Sequence, residues 1–208
     1  MKQKHTAILY ILLAGLFFSG MTAFVHLSGD LPTAQKALFR NLPALVISLI
    51  LLKRQGLSLK VTAGNGRSMF CRCFFGTMGL LCNFYAIDRL VLSDANMLNK
   101  LSPFFAVIFS YFLLKERIKP AQAVGLIAAF CGALLIIKPS LFHMDYFPAL
   151  IGALGGLGAG AAYTFVRKMG LHGEAGTRIV FYFSAFSCLV TLPMFLLAGQ
   201  AMSLRQLL

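Results

Sequence analysis

Acidic residues are scarce in this sequence. Six Asp+Glu stand against 19 Lys+Arg in 208 residues, and charged types make up only 12%. That is about half the share of an ordinary soluble domain. Hydrophobic types reach 59%, and the mean hydropathy is +0.81. A soluble domain of this size cannot hide so much apolar surface behind so few charges. A disordered chain would be far more polar. The remaining class is a polytopic membrane protein.

Other absences narrow the chemistry. Asp30, Asp88, Asp94, Glu116, Asp145 and Glu174 all fall in expected loops or at helix ends. No mid-span carboxylate is available to trade protons for cationic drugs. The five cysteines (71, 73, 82, 131 and 188) and four histidines are scattered, without metal-ligand spacing. No acidic pair, histidine cluster or Ser/His/Asp arrangement points to catalysis. The chain is therefore expected to be no enzyme and to need no cofactor. An integral-membrane enzyme acting on lipid is the weakest of the alternatives. In a soluble protein the net charge of +13 would suggest nucleic acid. Here it reads as basic loops, and no nucleic-acid partner is expected.

Charge-free windows at 5–29, 120–137, 146–166 and 179–204 are long enough for a bilayer of ~30 Å. Three more, at 35–52, 68–87 and 95–114, hold or adjoin one cation each: Arg40, Arg72 and Lys100. Seven helical spans are expected, because lipid offers the backbone no hydrogen-bond partners. The basic flank Lys2 and Lys4 resembles a secretory leader. The long first window without a clear cleavage site reads instead as a retained helix. With the N-terminus in the cytoplasm, twelve basic residues fall inside and four outside. The expectation is a multi-pass protein of the plasma (inner) membrane with a cytoplasmic N-terminus.

Gly15-Leu16 recurs as Gly156-Leu157, and Phe24-Val25 as Phe165-Val166. Both pairs are 141 residues apart. Helix six would run opposite to helix one, so a five-helix unit (1–139) is followed by an inverted second unit (146–208). Inverted repeats are a common plan of secondary transporters, with the substrate between the halves. The second unit has room for two helices only. A truncated chain is expected, completed by missing second-repeat helices or by a second copy. A truncated fragment or subunit that does not transport is the alternative reading.

In-span cations are functional suspects. Asn96, Asn99, Lys100 and Pro103 fall at i, i+3, i+4 and i+7, one face of a continuous helix. Pro103 also releases a mid-membrane carbonyl. Lys100 and Arg40 are expected at similar depth. They could form a cationic recess for an anionic substrate group, with Asn96, Asn99 and Asn41 adding hydrogen bonds. Snorkelling, or pairing with Asp94, Asp88 or Asp30, is the structural alternative. Tyr85, Tyr163 and Tyr182 are candidate cavity walls or interfacial anchors, and Asn83 lies close to Tyr85. Gly152, Gly156 and Gly160 are spaced by four, a close-packing face. Glu116 is expected at the cytoplasmic end of helix four, pairing with an arginine.

The run Phe84-Tyr85-Ala86-Ile87, Ser93-Asp94-Ala95, Leu101-Ser102-Pro103-Phe104-Phe105 and Leu114-Lys115-Glu116-Arg117 resembles the passage closing the first repeat of EamA-type drug/metabolite transporters. Arg40 matches a common arginine there, and Ala161-Ala162-Tyr163 resembles the start of a second repeat. The resemblance implies ten helices in two inverted repeats and movement of small metabolites. Three of those helices have no counterpart in this sequence.

Overall fold

The computed structural model describes residues 2–27, 31–116, 119–137 and 145–199. They form helices α1 (Lys2–Leu27), α2 (Thr33–Arg54), α3 (Gly66–Arg89), α4 (Leu92–Asn99), α5 (Ser102–Leu114), α6 (Pro120–Ile137), α7 (Tyr146–Leu171) and α8 (Gly176–Ala198). Five stretches are long and apolar enough to cross a membrane: α2, α3, α4 with α5, α7 and α8. The chain is an all-α polytopic membrane bundle with at least five spanning helices. Two further expected spans fall on α1 and α6, whose apolar stretches are shorter (Leu12–Met21 and Pro120–Gly132). The end of the last expected span, 200–204, lies outside the described residues.

The span expected at 95–114 is not one helix. α4 stops at Asn99 and α5 starts at Ser102. Pro103 has no N–H to give the Asn99 carbonyl, and its ring crowds the preceding turn. The face drawn through Asn96, Asn99, Lys100 and Pro103 assumed a continuous helix, so it does not hold. Asn99 turns to a cavity, whereas Lys100 is exposed at the break.

α7 is the central element. A methyl on Gly79 of α3 would stand 2.8 Å from the Ala159 nitrogen, and one on Gly158 would stand 3.0 Å from the Phe75 carbonyl. These two backbones approach more closely than any side chain allows. On another face, Gly156 and Gly160 lie against the Leu98 and Ser102 carbonyls of the α4–α5 segment. α7 is thus smooth on two sides, one facing α3 and one facing the kinked span.

α2 packs on α8, where Asn41 donates to Ser187 Oγ at 3.0 Å and Phe39 meets Phe195 edge-on. Phe84, Ala37, Ala86, Ile87 and Ala95 form one buried apolar cluster. Met69, Cys73, Met169 and Ile179 form a second.

One end of the bundle is held by matched turns. After α2, the Leu57 N–H reaches the Leu52 carbonyl and Gly56 takes a positive φ of 64°. After α7, the Glu174 N–H reaches the Met169 carbonyl and Gly173 has φ 72°. Both are glycine-closed helix ends with the long-range Schellman bond. The second delivers Glu174 into the loop at 55–65. There Glu174 accepts from the Thr62 N–H (3.0 Å), from Asn65 Nδ2 (3.2 Å) and from Arg178. Arg178 also donates to the Ser58 carbonyl at 2.9 Å, and the Tyr182 hydroxyl donates to the Leu59 carbonyl at 2.8 Å. Burial alone would raise the Glu174 carboxyl. Hydrogen bonds from Arg178, Asn65 and Thr62 together outweigh it and hold the group below the usual carboxylate range.

Candidate functional site

Six helices enclose a cavity of about 220 Å³. Its walls include Phe18 and Met21 of α1, Arg40 of α2, and Arg72, Gly76, Asn83 and Phe84 of α3. Asn99 of α4, Tyr163 of α7 and Phe183 of α8 complete it. Arg40 enters from α2 and directs Nε to the Met21 sulfur at 2.8 Å. Arg72 starts one turn below the cavity, and its guanidinium climbs along α3 to the level of Gly76. A methyl on Gly76 would lie 2.0 Å from Arg72 Nη1. Glycine at that position leaves the guanidinium its place. The guanidinium carbon lies 4.1 Å from the centre of the Phe183 ring, a cation–π contact. Gly76 is near the middle of α3, so this charge is held deep in the apolar layer.

Neither guanidinium touches a carboxylate among the described residues. Arg72 Nε is buried without a hydrogen-bond partner. Acids among the described residues are engaged elsewhere: Asp88 accepts from Lys36 and from Thr33, Asp94 from Ser93, Glu116 from Arg167, and Glu174 from Arg178. Arg40, Arg72 and Tyr163 line the same cavity wall. Two like charges, two amides and a phenol thus face one small space.

The sequence-level candidates divide. Arg40, Asn99 and Tyr163, with Asn83, come together at this cavity. Lys100 and Asn96 do not line it. Asn41 is buried and spent on the Ala37 carbonyl (2.9 Å) and Ser187. Tyr85 lies beneath the Arg89 guanidinium at 5.4 Å from its ring centre. Tyr182 is tied to the loop by its hydroxyl. Arg72 was visible in sequence as an in-span cation but not as a member of the site. Its signal is the glycine four residues on, one helical turn away on the same face.

A second cavity of about 570 Å³ lies between α5, α6 and α7, lined by Ser110, Tyr111, Gln122, Thr164 and Tyr163. Glu116 and Arg167 pair across its edge at 2.9 Å. Lys115 before them takes a left-handed φ of 55°, which ends α5 and turns Glu116 toward α7. This cavity is larger, but its charges are mutually satisfied and one side is bounded by three helices only. The smaller cavity is the stronger candidate for recognition.

Among the described residues no group of His, Cys, Asp and Glu could hold a metal ion. Residues 5–138 match the EamA-like transporter family. The pseudopaline exporter CntI of Pseudomonas aeruginosa is 33% identical over 190 residues, covering 91% of this chain and 66% of that protein. An uncharacterized transporter of Helicobacter pylori is 27% identical over 161 residues, or 76% of this chain and 54% of its own length. A riboflavin transporter of Vibrio cholerae is 26% identical over 204 residues, or 93% of this chain and 68% of its length. The chain thus spans less than two thirds of the first two of these relatives. No solved structure matches it. On the family match and the membrane-spanning helices, this chain belongs to the EamA-like transporter family.

Proposed function

We propose that this protein carries small organic metabolites across the plasma (inner) membrane by alternating access. The cavity of Arg40, Arg72, Asn83, Asn99 and Tyr163 would be its substrate site. The observation that carries the reading is that cavity: polar groups from several helices converge on one space inside an apolar bundle. Relatives that include a pseudopaline exporter and riboflavin transporters support small organic cargo.

In this reading residues 1–139 form the first repeat and 146–208 part of an inverted second. The end that carries the 55–65 loop is cytoplasmic, since Lys53, Arg54, Lys60, Arg67, Arg167, Lys168 and Arg178 cluster there. The Glu174–Arg178 network and the Glu116–Arg167 pair would then lie on the cytoplasmic side of the cavity. Lys100 and Asn96, on the kinked span outside the cavity, would act on entry rather than in the bound state.

A second reading is a subunit that works only with further helices, either its own second-repeat segment or another copy. The chain's span of 66% of the pseudopaline exporter supports it.

Counterflow in proteoliposomes across a panel of amino acids, amines and nucleosides tests the first reading. Exchange of at least one class is expected. No exchange with any class would sink it.

A further inference from the structure

Two half-buried cations at one cavity with no carboxylate partner among the described residues, one of them with a buried, unbonded Nε, need an explanation. An ionised group in an apolar interior is held by a partner or is costly, by several kcal/mol as an order of magnitude. The buried cations Lys36 and Arg178 each have a carboxylate partner, Asp88 and Glu174. Arg40 has a thioether and Arg72 an aromatic face. Both contacts are weak substitutes for an oxyanion. The cavity wall contains no Asp or Glu, so the two charges sum rather than cancel. The guanidinium fork of Arg72 is seated over Gly76, with the backbone withdrawn beneath it and Phe183 behind it. That is the geometry of a positioned fork rather than of a chain snorkelling to the surface.

We infer that the cavity recognises a small organic anion, with Arg72 as the principal anchor of its carboxylate or phosphate oxygens and Arg40 as the second charge. Asn83 and Asn99 supply amide hydrogen bonds. Phe18, Phe84 and Tyr163 flank the apolar body of the ligand. The volume of about 220 Å³ is below the ~300 Å³ lower bound of drug-sized pockets, so that body is small. An amine without an acidic group would add a third positive charge and is excluded by repulsion. This inference rests on the cavity being the substrate site, and it adds the sign of the substrate and the residue that reads it.

The test uses four probes on one phenyl skeleton: 3-phenylpropionate, phenyl phosphate, phenylalanine and phenethylamine. Binding to the purified chain in neutral detergent is read from the melting temperature, and counterflow of the same probes is read in liposomes. The anions and the zwitterion should raise the melting temperature saturably, and phenethylamine should not. The stronger of the two anions identifies the oxyanion.

Arg72→Met should weaken anion binding about 10-fold or more, the worth of one charge-assisted bond. Arg72→Lys should recover part of it. Gly76→Ala keeps the charge but displaces the fork, and should fall between them. A shift by phenethylamine equal to that of the anions would overturn the inference. So would Arg72→Met binding the anions as wild type does, or no shift by any anion. Anion binding without counterflow would leave the site standing and defeat the transport reading. Amine counterflow without anion binding would do the reverse.

Discussion

At the loop end of the bundle, Arg178 and Glu174 are 9% and 0% exposed in their side chains, and both are fully engaged. Deeper in the bundle, Arg40 of α2 and Arg72 of α3 line a cavity with no carboxylate in its wall. The chain is able to build a satisfied buried ion pair, and it does so where a turn must be locked. Where it leaves two guanidiniums without one, the partner in the proposed site is supplied from outside. A satisfied buried charge therefore marks structure, and an unsatisfied one facing a cavity marks a ligand.

The largest expected effect lies on the satisfied side. Glu174→Gln leaves Arg178 buried without its counter-charge and should cost about 3 kcal/mol, read as a lower melting temperature. The same network gives a pH signature. Its carboxyl is held below its ordinary value, so its contribution is complete above the unfolded carboxylate value of ~4.3. It is lost as pH falls through the lower folded value. Melting temperature should drop in that acid window, and Glu174→Gln should flatten the drop.

Next comes packing. Gly79→Ala must push α3 away from the α7 backbone, at roughly 1–3 kcal/mol. Denaturation of the purified variant checks it, and a wild-type midpoint would mean that the helices do not touch as described.

The exposed pair is smaller still. Arg167 and Glu116 are 59% and 34% exposed, so Glu116→Gln should change stability by about 0–1 kcal/mol. Its melting temperature should stay near wild type. The smallest effect on stability belongs to Arg72→Met, since no carboxylate is orphaned when that cation goes. A loss as large as that of Glu174→Gln would erase the contrast.

The spans were legible because lipid demands long apolar windows with few or no charges, and α2, α3, α7 and α8 lie where those windows do. The break before Pro103 was partly legible. Pro103 signals a freed carbonyl, but helical spacing alone runs through it and puts Lys100 and Asn99 on one face. Arg40, Asn99 and Tyr163 could be singled out as polar groups in apolar helices. That Arg72 joins them depends on α8 bringing Phe183 behind its fork, a contact 111 positions away in sequence. The Glu174 network was hidden for the same reason, since its partners Thr62 and Asn65 are 112 and 109 residues distant. Local periodicity carries no information about such pairs.

The central claim is that Arg72 is kept for cargo and not for folding. Counterflow by Arg72→Met in proteoliposomes, at matched melting temperature, tests it most directly. The account predicts a variant as stable as wild type whose exchange is reduced at least ~10-fold. Wild-type exchange, or a variant that no longer folds, would contradict it.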